Sequence, residues 1–189
     1  MAGELKLNDV SVATESGGVV TVNNSVLHNA ITMADTWYLS ADKTAQGVIS
    51  ANLARWGIGG NFSGFGNAMT ESSGVFTFPE TGYYLVYAKG YLESDGNNRI
   101  QHFGFEGQYS SNGGASFSGF NYTYTNTPQE PSGVNEFYYG NVHLNYIFVV
   151  TNVTQDKVRF YFNSQNSSGG LSGGSDLRTS FQFIRLRSL

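Results

Sequence analysis

Apolar and polar residues alternate along most of this chain at the spacing of a pleated strand. Phe120, Tyr122 and Tyr124 alternate with Asn121, Thr123 and Thr125. Val158, Phe160 and Phe162 alternate with Arg159, Tyr161 and Asn163. Val142, Leu144, Tyr146, Phe148 and Val150 fall on one side of a long segment, with His143 and Asn145 opposite. Phe181, Phe183 and Arg185 stand against Gln182, Ile184 and Leu186, and Ile100, His102 and Gly104 against Gln101, Phe103 and Phe105. Residues two apart share a face of a strand, so each run predicts a strand with one buried side. Further strands are expected over 37–41, 47–54, 74–78 and 83–89, a glycine-rich loop over 57–66, and a turn at Pro79-Glu80-Thr81-Gly82. No stretch longer than a turn or two repeats its apolar residues every 3.6 positions. Many short strands without intervening helices predict an antiparallel sandwich or barrel.

Residues 1–34 have a different texture. They contain no aromatic residue and offer only short apolar pieces: Leu5 and Leu7, Val10 and Val12, then Val19, Val20 and Val22. Glu15-Ser16-Gly17-Gly18 interrupts them with a turn signal. Two or three short strands of an extended arm are expected, too small to bury a core and therefore in need of a partner. The globular domain is expected over 35–189. Ser110 to Gly119 and Ser164 to Ser175 are rich in glycine and serine and read as exposed loops.

Composition narrows the classes. There are no cysteines, which removes disulfide scaffolds, thiolate metal sites and cysteine nucleophiles together. Charged residues are 13% of the chain, below the ~25% of ordinary soluble domains. Ten Lys and Arg against fourteen Asp and Glu supply no basic field for nucleic acid. No apolar run is long enough for a membrane-spanning helix, and the opening residues lack the apolar core of a secretory signal. Release to the outside by assembly into a virion that leaves by lysis is the expected alternative route.

The segment Gly74-Val75-Phe76-Thr77-Phe78-Pro79-Glu80-Thr81-Gly82-Tyr83-Tyr84-Leu85-Val86-Tyr87 resembles the strand–turn–strand of complement one-q globular heads, relatives of the tumour necrosis factor superfamily. Thr81 stands where that family usually has a second proline, and Phe78 where cysteine is common. Val153 to Phe160 is similar to its Gly-Asp-x-Val hairpin, with Gln155 in place of the glycine. Thr179 to Ile184 is similar to its closing strand, with departures at Gln182 and Phe183. The resemblance spans roughly 37–188. It implies a TNF-like antiparallel jelly-roll sandwich that assembles as a homotrimer, with Phe76, Phe78, Gly82, Tyr84, Val86, Phe181 and Phe183 in the core or the trimer contact and with Tyr84 and Val86 pointing inward. In the arm, Leu5-Lys6-Leu7-Asn8 and Glu15 to Thr21 resemble amino-terminal segments of tailed-phage virion proteins.

Candidate chemistry is sparse. Gly170-Leu171-Ser172-Gly173-Gly174 fits G-x-S-x-G, but no histidine follows it, as a nucleophile elbow would require. His28, His102 and His143 have no metal-ligand spacing. The run Glu93-Ser94-Asp95-Gly96-Asn97-Asn98 offers oxygen ligands for calcium but reads first as a hairpin turn. A glycosidase pair would have to come from exposed turn carboxylates such as Glu80, Glu93, Glu106 and Glu130, and 189 residues leave little room for a substrate cleft. Five N-x-S/T sequons, at Asn23, Asn61, Asn121, Asn152 and Asn166, suit a chain rich in these residues. Tyr109, Phe117, Phe120, Tyr122 and Tyr124 are expected either to pack on a neighbouring protomer or to stack on a ligand such as a host-surface glycan. Arg178, Arg185 and Arg187, with Arg159 alongside, are expected to be solvated or to pair with a neighbour's acids. The expected function is that of a phage structural protein, not an enzyme and without a cofactor. As a trimer on the virion surface it would decorate or cement the capsid, held to capsid or tail proteins by its arm. The alternative is the receptor- or glycan-binding tip of a fibre.

Overall fold

The computed structural model describes residues 3–7, 10–22, 31–57, 64–94, 102–126, 138–165 and 169–189. Among them every regular element is a β-strand. The globular part is two six-stranded antiparallel sheets packed face to face. The first runs β12 (Tyr138–Val150), β9 (Gly82–Ser94), β15 (Ser180–Arg187), β4 (Met33–Leu39), β6 (Leu53–Arg55), and β14 (Gly169–Leu171) pairs with β9 beyond the end of β15. The second runs β11 (Ser118–Thr125), β10 (Phe103–Ser110), β13 (Lys157–Ser164), β8 (Val75–Thr77), β7 (Thr70–Ser72), with β5 (Gly47–Val48) on β13. From β8 to β15 the chain repeatedly changes sheets, which is the jelly-roll winding. The strand order of the first sheet places β4 beside β15 although 147 residues separate their starts in sequence, so the sandwich closes through its most distant strands.

The core is aromatic. Phe76 of β8 meets Phe183 at 4.9 Å, Phe160 meets Phe181 at 4.6 Å, and Phe78 meets Tyr84 at 4.7 Å. Each fully buried ring of this kind contributes about 1.5–3 kcal/mol relative to exposure, and offset or edge-on packing suits the ring quadrupoles. Along β9 burial alternates without a break, and Tyr84 and Val86 are completely covered, on the inward side that the motif implies. Around β7 and β8 the two-residue loop Ser73-Gly74 has positive φ at both positions, 51° and 84°, the twist that suits a tight hairpin. The Glu71 carboxylate accepts the Gly74 N–H at 2.6 Å and fixes it.

The turn before β9 is tied to the last strand. Tyr84 Oη donates to the Glu80 carbonyl at 2.8 Å. Arg185, buried on β15, donates to the Thr81 carbonyl through Nε at 3.0 Å and Nη2 at 2.7 Å, and to Thr32 Oγ1 at 2.9 Å. It also lies 2.8 Å from the Glu80 carboxylate. Arg185 is therefore neither solvated nor reserved for a neighbour. Its parity on β15 matches Phe181 and Phe183, which turns it inward at the rim of the core, where Glu80 and two carbonyl bonds satisfy the charge. Gly82 lies beneath it with φ 148°, and a Cβ there would collide with the Arg187 carbonyl and the Arg185 guanidinium.

Several expected elements differ. The strand expected over 47–54 is two, β5 in one sheet and β6 in the other, separated at Asn52, whose φ is 58°. The expected glycine-serine loop after Ser164 contains β14, held by backbone bonds in both directions between Lys43 and Leu171 at 2.9 Å. The segment Val153 to Phe160 is not a hairpin: β12 and β13 lie in different sheets, and Asp156 closes the crossing by accepting the N–H groups of Thr151 at 2.7 Å and Asn152 at 2.8 Å. β4 begins at Met33, whose side chain joins the core, so the sandwich draws on the last two residues read as arm. The rest of the arm that is described forms its own antiparallel sheet of β1 (Gly3–Leu7), β2 (Val10–Ser16) and β3 (Val19–Val22).

Candidate functional surface

The most distinctive surface is the outer side of the first sheet. On β9 the outward positions are Tyr83, Leu85, Tyr87, Lys89, Tyr91 and Glu93; on β12 they are Tyr139, Asn141, His143, Asn145, Ile147 and Val149. The register sets them in rows across four strands. One row reads Ala34, Ile184, Leu85, Ile147, with Tyr83 and Val149 paired beside it. The next reads Thr36, Gln182, Tyr87, Asn145. Ile147 and Tyr139, on the edge strand β12, remain 54% and 59% exposed, two large side chains left open to solvent on one face. The face is thus apolar at one end, polar in the middle and aromatic at the other, where Tyr91 and Tyr139 stack at 5.8 Å.

The polar middle is held internally. Tyr87 Oη and His143 Nδ1 are 2.5 Å apart, and Lys89 donates to the Leu177 carbonyl at 3.4 Å. Cations edge the face. Arg187 lies over the Tyr83 ring at 4.4 Å and Arg178 over Tyr91 at 5.9 Å. Arg178 also pairs with Asp176 at 2.7 Å, a contact that holds the Asp176 carboxyl below its ordinary pKa and raises that of Arg178. The three terminal arginines therefore divide into one buried pin and two cations at the margin of the face.

The five aromatic residues expected to act together do not form one patch. The β10–β11 pairing slips between Gly107 and Gln108, so Phe120 is the extra residue of a bulge. Its ring turns inward to Tyr146 at 4.4 Å and to Tyr109 at 5.8 Å. Tyr122 and Tyr124 stay outside, nearly parallel at 6.4 Å, and Asn163 donates to Tyr124 Oη at 3.3 Å. Phe117 lies apart beneath the Arg159 guanidinium at 3.9 Å. Period-2 alternation concealed this separation because a bulge leaves no mark on it.

Of the other candidates, Ser172 is buried, and its Oγ accepts from Arg178 Nη1 at 3.2 Å, a packing role with no base beside it. His102 packs edge-on to Tyr124, far from the His143 contact with Tyr87. Among the described residues no group of three or more His, Asp or Glu side chains could hold a metal. In the run read first as a hairpin turn and second as a calcium loop, Glu93 and Ser94 belong to β9, while 95–98 lie outside the described residues, as do His28, Glu130 and the sequons at Asn23, Asn61 and Asn166. Asn152 uses its side chain locally, accepting the Thr154 N–H at 3.0 Å. Of the arm positions, Leu5, Val19 and Val20 are exposed and Val12 half-buried; Leu7, Val10 and Val22 are paired strand positions.

The outer face of the first sheet was missed in the sequence, yet a signal existed. Tyr83 to Tyr87 and Tyr146 to Val150 are each five apolar residues in succession, so these strands are apolar on both sides. Such runs mark strands covered twice.

No protein-family model and no curated protein matches the sequence. Solved structures do match. Two crystal structures of murine APRIL, at pH 8.5 and pH 5.0, superpose with a TM-score of 0.55 at 11% and 12% identity. A third, at pH 8.0, gives 0.53 at 13%. Each comparison covers 82% of this chain and 98% of the other. The sandwich is thus a TNF-like jelly roll, as the Gly74–Tyr87 motif led us to expect.

Proposed function

We propose that the chain is a non-enzymatic structural protein that assembles as a homotrimer through the outer face of the first sheet. The observation that carries this reading is the pair of two-sided strands, β9 and β12, whose outer side presents Leu85, Ile147, Val149 and Tyr83 next to one another, with Tyr91 and Tyr139 at the opposite end. A face of this size and composition is covered by protein in working molecules, and a ring of copies covers all three at once. The trimer decorates or cements a virus particle, with residues 1–34 as its attachment to capsid or tail proteins; the support is the resemblance of the arm to virion proteins and its separate small sheet. A second reading, a receptor- or glycan-binding fibre tip, is favoured by the exposed pair Tyr122 and Tyr124.

Light scattering at micromolar concentration tests assembly. The expected mass is three times the 20.5 kDa chain, and Ile147→Asp with Val149→Asp is expected to give a folded monomer. A monomeric parent would refute the trimer. Particles lacking the protein, supplied with chain deleted of 1–30, which spares Thr32 and the core residue Met33, test attachment: undiminished occupancy would place the contact in the sandwich. Glycan-array binding abolished by Tyr122→Ala with Tyr124→Ala would favour the fibre tip.

A further inference from the structure

The small amino-terminal sheet has two unlike sides, and a bulge makes them so. Leu5 pairs with Ala13, but the next residue, Lys6, pairs with Ser11, so Val12 is the extra residue and β2 changes sides there. Beyond Ala13 the register joins Glu15 to Val20. Leu5, Ala13, Glu15 and Val20 therefore share one side, and the backbone brings position 7 opposite 10 and position 22 opposite 13. The other side carries Glu4, Lys6, Ser11, Thr14, Ser16 and Thr21, with Val19 its exposed apolar residue. Side-chain contacts agree with this division: Lys6 Nζ lies 3.2 Å from the Glu4 carboxylate, which Ser11 also hydrogen-bonds. On the first side Leu5 and Val20 are 64% and 65% exposed. Its one charge, Glu15, is occupied at the turn, accepting the Gly18 N–H at 2.7 Å.

We infer that this apolar side is covered by the same side of the other copies, so that three arms form one three-walled stem. The inference rests on the trimer reading above. A single layer of three short strands needs a second layer to be stable. A surface whose one carboxylate is engaged by the Gly18 N–H offers little to select a charged partner, while its apolar side chains suit the same side of another copy. Trimerisation of the sandwich holds three such sheets at high effective concentration. The stem then meets a virion with its polar side and free strand edges, not with the Leu5 side.

The absence of cysteine makes the test clean. Single substitutions Ala13→Cys and Leu5→Cys on the inferred inner side, and Thr14→Cys and Ser16→Cys on the other, are made in the full chain and treated with oxidant or a short bismaleimide. Bands at twice the chain mass are expected for the first two, at up to about two-thirds of the chains since three thiols can form one pair, and at least fivefold less for the second two. Equal cross-linking on both sides, or none at all four positions in a protein of trimeric native mass, overturns the stem. A monomeric native mass overturns the trimer reading and the stem with it.

Discussion

Replacing Arg185 by methionine keeps most of the side-chain volume and removes one buried charge. Its side chain is 8% exposed and satisfies the Thr81 carbonyl twice, Thr32 Oγ1, Ser188 Oγ and the Glu80 carboxylate. Breaking a fully buried pair by deleting one partner costs about 3–5 kcal/mol. Glu80 is 40% exposed and can turn to water, which moves the expectation to the lower end. The Thr81 carbonyl, left without its donors, adds about 1 kcal/mol. Arg185→Met is therefore expected to destabilise by about 3 kcal/mol, and Arg185→Lys by about 2 because one ammonium cannot reproduce the planar fork. Arg178→Met, which breaks an exposed pair, is expected to leave the urea midpoint unchanged. Urea titrations at one fixed protein concentration measure all three, with unchanged slope showing that only stability moved. A loss below about 1 kcal/mol for Arg185→Met, or equal losses at 185 and 178, would refute the assignment of Arg185 as the pin between the Pro79 turn and β15.

The buried hydroxyl of Tyr146 has no hydrogen-bond partner among the described residues, and burial pushes its phenol far above the ordinary pKa, so Tyr146→Phe is expected to leave stability unchanged or raise it by about 0.5–1 kcal/mol in the same titration. Burial likewise raises the Tyr84 pKa from 10.0 to about 12. The neutral form is thus favoured in the folded chain: its stabilising effect is whole below pH 10 and is lost as pH rises toward 12, at about 1.4 kcal/mol per unit. Circular dichroism should show alkaline unfolding in that window, and an equally steep loss in Tyr84→Phe would contradict the cause. Gly82→Ala, which drives a methyl into the Arg187 carbonyl, is expected to cost at least about 2 kcal/mol; a melting temperature within a degree of the parent would exclude the clash.

The interior was partly legible because strand alternation and burial coincide: Phe160, Phe181 and Phe183 lie on runs that predict one buried side, and the resemblance of the Gly74–Tyr87 segment led to Phe76; all four are buried. Three kinds of feature were not. Bulges at Gly107/Gln108 and Leu5/Lys6 move a residue without altering the sequence pattern, so Phe120 was grouped with Tyr122. Short strands such as β7 and β14 are defined by long-range backbone bonds that local composition does not encode. Arg185 was read from its charge, when its parity with Phe183 was the better guide. The outer face of β9 and β12 was visible as unbroken apolar runs, but alternation on the inner side drew attention away from the second side.

The pairing of β4 with β15 also orders the chain in time. As residues emerge during synthesis, β4 and β9 are exposed early, yet the strand that joins them, with Phe181 and Phe183, comes after all the others of the sandwich. Until it arrives the first sheet is two unconnected pieces with bare aromatic sides. A stop codon shortly before residue 180 thus leaves a nearly full-length polypeptide without the central seam of its sheet, prone to associate with its neighbours instead of with itself.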